Sequence, residues 1–384
     1  MAVALALGRK GYRITVFERR DDAVEAGAGL QISPNASHIL LNWGLAGQLA
    51  NAAVAPTELA IRRWNEPRAF ARMPFMAAGD GAPYWVLLRA DLHGALMTAA
   101  RASGNVEIWP GWLLDSMRQT ADGVTVNVES SDHRQTINAD AIIGTDGQRS
   151  RMRQLMGDAR ELDNPGWEAW RTLIPAELAP DFIRAAATNL WLGRDCHAVH
   201  YPVAGGKQIN LVVIRRSASE AEGWNRSGDP RQLQDLAKAA APTLRDLMGQ
   251  ATDWSVWTLR DRAPAAKLAI GRAVLVGDAA HPVLPFLAQG GALAIEDAAV
   301  LAAILPPAHS ASGEAIASAF SRYAVLRGPR VTRVWKAARS NAFNYHLGGP
   351  LAWLRDRRIA MLGSDGMRQR YSWLYDWRTP REGS

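Results

Sequence analysis

The chain has 384 residues, 48% of them hydrophobic and 21% charged; this composition excludes a disordered chain and suffices for one large or two interleaved domains. The formal net charge is +7, yet the basic residues are spread along the chain. We therefore expect a basic enzyme whose field favours anionic substrates, rather than a nucleic-acid-binding protein. The single cysteine, Cys196, excludes an internal disulfide, and no apolar run is long enough to cross a bilayer. We predict a cytoplasmic protein without a membrane partner.

The first 160 residues are predicted to alternate between helix and strand. The predicted elements are the end of a helix at residues 2–9, a strand at 13–17 followed by Glu18, a turn at 19–25, a glycine-bearing loop at 27–29, a helix with Ser33 as N-cap and Pro34 at its first position, a helix at 90–102, and strands near Val106, at 124–128 and at 141–143.

From residue 166 to 259 the pattern changes to alternating residues, which is typical of an antiparallel sheet. A fully apolar strand follows at 273–276 and runs into Gly277 and Asp278. A helix is predicted at 291–305, and the rest of the chain is predicted to be helical.

This order of elements predicts an α/β fold with an inserted sheet. We expect residues 1–160 and 260–384 to form a Rossmann-like nucleotide-binding domain that ends in C-terminal helices. Residues 161–259 are expected to form a mostly antiparallel substrate-binding sheet domain.

Glu18 directly follows the first predicted strand. In a dinucleotide-binding unit, a glycine-rich turn follows the first strand, and an acidic residue about 20 residues further on binds the ribose. Glu18 has the context of that acidic residue, although a surface residue ending an ordinary strand is the alternative. Only seventeen residues precede it, so we expect the first strand and its glycine loop to lie before Met1, as in an N-terminally truncated chain.

The most informative segment is residues 274–301, VLVGDAAHPVLPFLAQGGALAIEDAAVL. Its apolar strand ends at Gly277, where the chain must turn tightly, and the following Asp278 can accept hydrogen bonds from ligand hydroxyls. Gln289-Gly290-Gly291 allows a backbone to approach a flat ligand closely. The helix that follows directs its positive end at this loop, which suits an anionic ring.

With these residues, the chain resembles the FAD-dependent aromatic-ring monooxygenases, which include salicylate, 3-hydroxybenzoate and 6-hydroxynicotinate hydroxylases and share the p-hydroxybenzoate hydroxylase fold. The string GDAAHP at 277–282 matches the ribityl-binding motif of that family. The resemblance implies that Asp278 contacts the FAD ribityl chain. It also implies that Pro285, Gly290 and Gly291 line the isoalloxazine ring.

Three further matches lie elsewhere in the chain, and the resemblance covers nearly all of it. The segment GTDGQRS at 144–150 looks like the family's DG motif, which implies that Asp146 and Gly147 serve FAD and NAD(P)H binding together. Arg89 matches the arginine that contacts the ribityl–pyrophosphate region, and Glu18 matches the ribose-binding acid.

For the substrate, His197 and Tyr201 resemble the family's His/Tyr pair that binds and deprotonates a phenol. They are four residues apart in a predicted strand, so we expect them to share a face approximately. His197 suits a general base because the unperturbed pKa of histidine lies near neutrality; a buried structural histidine is the alternative. Pro285 and Gln31 depart from the residues that some 3-hydroxybenzoate and 6-hydroxynicotinate enzymes carry, so neither relative fixes the substrate.

The resemblance implies an FAD-dependent, NAD(P)H-consuming monooxygenase that hydroxylates a small phenolic or carboxylated aromatic compound with oxygen, through a flavin hydroperoxide. One alternative is a related flavin oxidoreductase that acts on a non-aromatic or polyketide substrate. Another is an inactive, flavin-free truncated product. No cluster of His, Cys and carboxylates indicates a metal site, and a homodimer is one assembly compatible with the sequence.

Overall fold

The structure, a computed structural model, describes residues 1–21, 28–75, 81–217 and 225–380. Part of the predicted turn and loop, at residues 22–27, lies outside the described residues. Numbered along the chain, the strands are β1 (Ile14–Glu18), β2 (Gly29–Ile32), β3 (Glu58–Arg63), β4 (Ala69–Pro74), β5 (Trp85–Leu88), β6 (Val106–Pro110), β7 (Leu113–Gln119), β8 (Val124–Glu129), β9 (Arg134–Ala139), β10 (Ile142–Gly144), β11 (Asp163–Pro175), β12 (Thr188–Gly193), β13 (Cys196–Val203), β14 (Gln208–Arg216), β15 (Asn225–Gly228), β16 (Trp254–Asp261), β17 (Ala269–Ile270) and β18 (Ala273–Leu275).

The helices are numbered in the same way. They are α1 (Ala2–Gly8), α2 (Pro34–Asn42), α3 (Ala46–Leu49), α4 (Arg89–Ala102), α5 (Arg151–Leu155), α6 (Asp181–Arg184), α7 (Gln234–Ala239), α8 (Pro242–Gly249), α9 (Gly290–Ile304), α10 (Gly313–Tyr345) and α11 (Gly349–Tyr375). None of the described helices combines the length and apolarity that a membrane span requires.

Short parallel strand pairs form the nucleotide-binding part of the molecule. β1 pairs in parallel with β6, β10 pairs in parallel with β18, and β17 adds an antiparallel edge to β18. Helix α1 packs on α4 and α9 beside these strands. Among the described residues no strand joins the β1–β6 pair to the β10–β18–β17 sheet, and the strand expected before Met1 stays a prediction.

An eight-stranded sheet forms the second part, in the order β15-β16-β11-β14-β13-β12-β3-β4. Its neighbours are antiparallel except for the parallel pair of β12 and β3. The alternating segment from residue 166 to 259 supplies most of these strands, as expected. The sheet also takes in β3 and β4, which precede that segment by about a hundred residues. The division into domains stays a prediction, and the sheet is wider than residues 161–259.

The two faces of this sheet have different surroundings. In β13, Cys196 and Ala198 point into an apolar core shared with Leu244 and Leu247 of α8. Because side chains alternate along a strand, His197 and Tyr201 point to the opposite face. That face is covered by the loop after β18, the end of α10 and the pair β2–β5.

Candidate active site

The turn after β18 is held by a buried carboxylate of α9. Gly277 has φ of 60°, a conformation that favours glycine, and its amide donates a hydrogen bond to Asp297 Oδ2 at 2.9 Å. His281 Nε2 lies 2.6 Å from the same oxygen, so this ring nitrogen carries a proton and donates it. The GDAAHP turn is therefore fixed at both ends by one side chain.

Two arginines of α10 compensate the buried acids of α9. Arg327 donates to Asp297 Oδ1 at 2.6 Å and to Glu296 Oε2 at 2.7 Å, and Arg330 donates to Glu296 Oε1 at 2.7 Å. Burial alone would raise the pKa of Asp297, but His281 and Arg327 hold that pKa well below its usual range. The Asp297 carboxylate is therefore charged at neutral pH, and both carboxylates are paired with arginine.

A chain of buried amides and hydroxyls extends this network to the glycine loop. Asn35 Nδ2 donates to Glu296 Oε1 at 2.5 Å and to Gln289 Oε1 at 3.1 Å, while Gln289 Nε2 donates to Ser33 Oγ at 2.9 Å. The Ser33 hydroxyl donates to Asn35 Oδ1 and makes no side-chain cap to α2, although it stands at the predicted N-cap position. The side chain of Gln289, which directly precedes Gly290, is thereby anchored to α2 and to Glu296 through Asn35.

Gly290 and Gly291 begin α9 and leave space beside the backbone. A Cβ added to Gly290 would come no closer than 3.9 Å to the Asp278 carboxylate, and one added to Gly291 would meet Ile32 at 3.8 Å. No side-chain hydrogen bond from the described residues caps the first turn of α9. Pro285, which is exposed, opens the short turn before it. This open glycine surface at a helix N-terminus fits a flat, anionic ring such as the flavin of FAD.

Asp278 and Arg89 lie near each other at the edge of this surface. Burial raises the pKa of Asp278, and the positive charges of His281 and Arg89 oppose that rise. Arg89 is exposed at the start of α4, and its amide donates to the carbonyl of Ala28 at 2.8 Å. The carboxylate and the guanidinium can therefore reach the same ligand, which suits the predicted ribityl and pyrophosphate contacts.

The predicted DG motif forms a capped turn after β10. Asp146 accepts hydrogen bonds from Ser150 Oγ at 2.5 Å and from the amide of Met152 at 3.0 Å. Gly147 has φ of 78°, so a side chain at this position would strain the turn. The Asp146 carboxylate thus binds the N-terminus of α5. Because Asp146 is exposed, the turn is also accessible to a ligand.

Arg153 joins the DG turn to the GDAAHP turn, and the sequence analysis did not identify it. The side chain is fully buried and donates to the carbonyls of Ala280 at 3.1 Å and Ala263 at 3.2 Å, and to Asp158 at 2.9 Å. Burial lowers its pKa to about 10. Arginines stand at positions 149, 151 and 153, and only the tertiary fold shows that Arg153 is fully buried.

Glu18 lies at the end of β1, where it accepts a hydrogen bond from the amide of Arg20 at 3.0 Å. Burial lowers the pKa of the Met1 amino group, and the nearby Glu18 carboxylate opposes this effect. The carboxylate is therefore close to the N-terminal end of α1. Its assignment to ribose binding stays a prediction.

His197 is surrounded by aromatic rings on the face of the large sheet opposite to Cys196. Its ring centroid is 5.4 Å from that of Phe286, 5.5 Å from that of Tyr345 and 4.9 Å from that of His346. His197 Nδ1 is 2.8 Å from His346 Nε2. Burial and the neighbouring His346 lower the pKa of His197 well below its usual value, so the ring is neutral at pH 7.

Tyr201 lies four residues after His197 in the same strand, β13. Burial raises its pKa, and Arg171 and Gln31 oppose that rise. Gln31 also accepts a hydrogen bond from the hydroxyl of Tyr84 at 2.8 Å. Four residues of strand separate the Cα atoms of His197 and Tyr201 by about 13 Å. The two side chains therefore meet different edges of any ligand between them.

Phe286, Tyr345 and His346 were missed from the sequence. Phe286 directly follows the predicted Pro285, and residues 341–346 (NAFNYH), at the end of a long helix, include four hydrogen-bonding side chains; both were available signals. Asn341 Nδ2 donates to the carbonyl of Phe286 at 3.1 Å, which ties the end of α10 to the cofactor loop. In the described part of the chain, no group of three or more His, Cys, Asp or Glu is arranged to hold a metal ion.

Comparison with known proteins identifies the class. A family model described as an FAD binding domain matches residues 1–338, so the chain belongs to this family, and FAD is its cofactor. It is a flavoprotein monooxygenase of the aromatic-hydroxylase type, which confirms the resemblance drawn from its motifs.

Its relatives align over nearly its whole length. It is 34% identical to a 3-hydroxybenzoate 6-hydroxylase of Klebsiella oxytoca, over 98% of this chain and 94% of that protein. It is 33% identical to a 3-amino-4-hydroxybenzoate 2-monooxygenase of Streptomyces platensis, over 100% of this chain and 95% of that protein. A solved salicylate hydroxylase–substrate complex superposes with a TM-score of 0.79 at 21% identity, over 98% of this chain and 92% of that one. The predicted fold class is thereby confirmed.

Proposed function

We propose that the protein hydroxylates a small phenolic or carboxylated aromatic compound, with oxygen and NAD(P)H as co-substrates and His197 as the base. The observation that carries this proposal is the position of His197. Its buried, neutral ring faces Phe286, which directly follows Pro285 of the loop that fits the flavin. A base and a cofactor surface are thus adjacent across one aromatic-lined space.

The relatives support the substrate class. The Klebsiella oxytoca and Streptomyces platensis proteins are named for action on hydroxybenzoates with one or two polar substituents. The hydroxyl of such a substrate can donate its proton to a base, and its carboxylate can form an ion pair with a positively charged side chain. The half-buried Arg171, close to Tyr201 on the inner face of the sheet, is our candidate for the carboxylate.

In the proposed reaction, the glycine surface of α9, Asp278 and Arg89 would hold FAD, which would supply the redox chemistry, namely hydride acceptance from NAD(P)H and activation of oxygen. The protein holds the substrate between β13 and the glycine surface of α9. His197 takes the proton of the substrate hydroxyl, which makes the ring more electron-rich. The resulting imidazolium and phenolate attract each other, and this attraction offsets the burial that otherwise keeps His197 neutral. Phe286 and Tyr345 exclude water from the pair.

The overall balance is one substrate, one oxygen molecule, one NAD(P)H and one proton, giving the hydroxylated product, water and NAD(P)⁺. We also propose that the enzyme works in the cytoplasm, since its single, buried Cys196 suits a reducing compartment.

The test is NAD(P)H oxidation and product formation by the FAD-loaded chain with a panel of hydroxybenzoates and aminohydroxybenzoates. We expect His197→Ala to retain FAD and lose about 10²- to 10⁴-fold in turnover. The matched control is His200→Gln, a buried histidine of the same strand on the opposite face, which should keep its turnover. An FAD-loaded protein that oxidises NAD(P)H with none of the panel would exclude the proposed substrate class. Full turnover by His197→Ala would exclude the proposed base.

A further inference from the structure

His346 is a hydrogen-bond partner of the proposed base, His197. It follows α10, is buried, and stacks on the indole ring of Trp167 with centroids 3.8 Å apart. Its Nδ1 lies 2.5 Å from the carbonyl oxygen of Ala342, and its Nε2 lies 2.8 Å from His197 Nδ1. The backbone carbonyl of His346 accepts a hydrogen bond from the amide of Asp195, in the turn between β12 and β13. Both the ring and the backbone of His346 are therefore fixed.

This geometry determines which ring nitrogens of His346 and His197 carry a proton. A carbonyl oxygen can only accept, so His346 Nδ1 must carry a proton and donate it to Ala342. In a neutral imidazole the other nitrogen is then an acceptor. His346 Nε2 therefore accepts a hydrogen bond from the protonated Nδ1 of His197. The remaining nitrogen of His197, Nε2, is left with a lone pair. The reverse tautomer of His197 would place two lone pairs against each other at 2.8 Å.

The surroundings of His346 keep it in the neutral form that this arrangement requires. Burial lowers its pKa to about 4; the Ala342 carbonyl and Asp195 oppose this effect, while Arg216 and Arg355 add to it. The Arg216 guanidinium lies 4.1 Å from the centroid of the Trp167 ring, on which His346 also stacks. Tyr345 also faces His197, with ring centroids 5.5 Å apart. At neutral pH the dyad is therefore uncharged before substrate binds.

We propose that His346 is a positioning residue, which selects the Nδ1-protonated tautomer of His197 and so presents the Nε2 lone pair to the substrate hydroxyl. The role of Nε2 toward substrate rests on the proposed function, whereas the tautomer does not. His346 acts through His197 and touches neither the substrate nor the cofactor in this proposal. A tautomer-selecting partner of this kind raises the fraction of base that is ready to accept a proton.

The test reads the tautomer directly, by ¹⁵N nuclear magnetic resonance of the full chain labelled at histidine. The chain has 8 histidines, and the His197 signals are those that disappear in His197→Asn. We expect His197 to be protonated at Nδ1 in the unmodified protein and in His346→Gln, whose amide oxygen can accept the same hydrogen bond. In His346→Leu we expect the Nε2-protonated form or a mixture. An Nε2-protonated His197 in the unmodified protein would overturn the proposal, even if the leucine variant failed to fold.

Kinetics separate positioning from substrate binding. We expect His346→Leu to lower kcat by about 10- to 100-fold with little change in KM, and His346→Gln to stay within about threefold of the unmodified enzyme. Unchanged kcat in His346→Leu, with FAD retained, would refute the positioning role. Failure to hydroxylate any compound of the panel, with the expected tautomers present, would refute the proposed function and leave the positioning proposal supported.

Discussion

Replacing Arg327 by methionine tests whether the buried ion pairs between α9 and α10 hold the cofactor loops. Methionine fills a similar volume but carries no charge. Glu296 would keep Arg330 and Asn35 as partners. Asp297 would lose its contact with the guanidinium at Oδ1 and would keep the Gly277 amide and His281 at Oδ2, with the Tyr323 hydroxyl nearby. The variant therefore leaves one carboxylate buried and only partly compensated.

The expected loss is about 3–5 kcal/mol, the cost of removing one partner from a buried ion pair. For a chain of 384 residues, the entropy of unfolding near 60 °C is about 0.8 kcal/mol/K, so this loss lowers Tm by about 4–6 °C if the chain unfolds as one unit. Because Asp297 holds the GDAAHP turn, the affinity for FAD should fall as well.

Calorimetry of the FAD-free protein and a flavin fluorescence titration measure the two effects. Arg322→Met is the matched control, since Arg322 is an exposed arginine of the same helix. Adding Asp297→Asn to Arg327→Met should recover part of the lost stability, because it removes the stranded charge. If Arg327→Met unfolds within about 1 °C of the unmodified protein, the network is not what stabilises this region. If the double variant is less stable than the single one, the cost is not that of a stranded charge.

Two further predictions concern the glycine surface and the large sheet. Gly290→Ala should change the stability of the FAD-free protein by less than about 0.5 kcal/mol, because the added Cβ meets no protein atom within 3.9 Å, yet weaken FAD binding in a fluorescence titration; unchanged affinity would contradict the flavin assignment. Burial lowers the pKa of His200 to about 3, below its unfolded value of about 6.5. The unfolded chain then binds the extra proton, and His200 destabilises the fold increasingly as pH falls from about 6.5 to 3. Urea unfolding of His200→Gln should show a smaller loss of stability between pH 7 and 4, and an equal loss would contradict this linkage.

Local signals in the sequence predicted the strand, the turn and the helix start that form the candidate cofactor site. The apolar run before Gly277, the prolines after it and the glycines at 290 and 291 are all encoded within one continuous segment. A tight turn and a helix start depend on near neighbours, so the resulting structure could be expected without knowledge of the tertiary fold. The alternating pattern of β12, β13 and β14 predicted the large sheet for the same reason.

The missed features depend on residues that are distant in sequence. The parallel pairing of β3 with β12 joins segments more than a hundred residues apart, and no local pattern distinguishes an edge strand of one sheet from that of another. Arg327 and Glu296 are 31 residues apart, and His346 is 149 residues from His197. Charged and histidine side chains of this kind look like surface residues until the fold brings their partners to them.

The residues that sequence reasoning missed are concentrated on α10, and this explains how base and cofactor surface are kept in register. Arg327 and Arg330, near the middle of the helix, bind the acids of α9, while Asn341 and the adjoining His346, at its end, contact Phe286 and the proposed base His197. A helix rises 1.5 Å per residue, so the nineteen residues from Arg327 to His346 set a separation of about 28 Å. One continuous helix thus contacts both the acids of α9 and the proposed base. A change that bends α10 between these points should therefore misalign the base from the cofactor loop while each group keeps its own contacts.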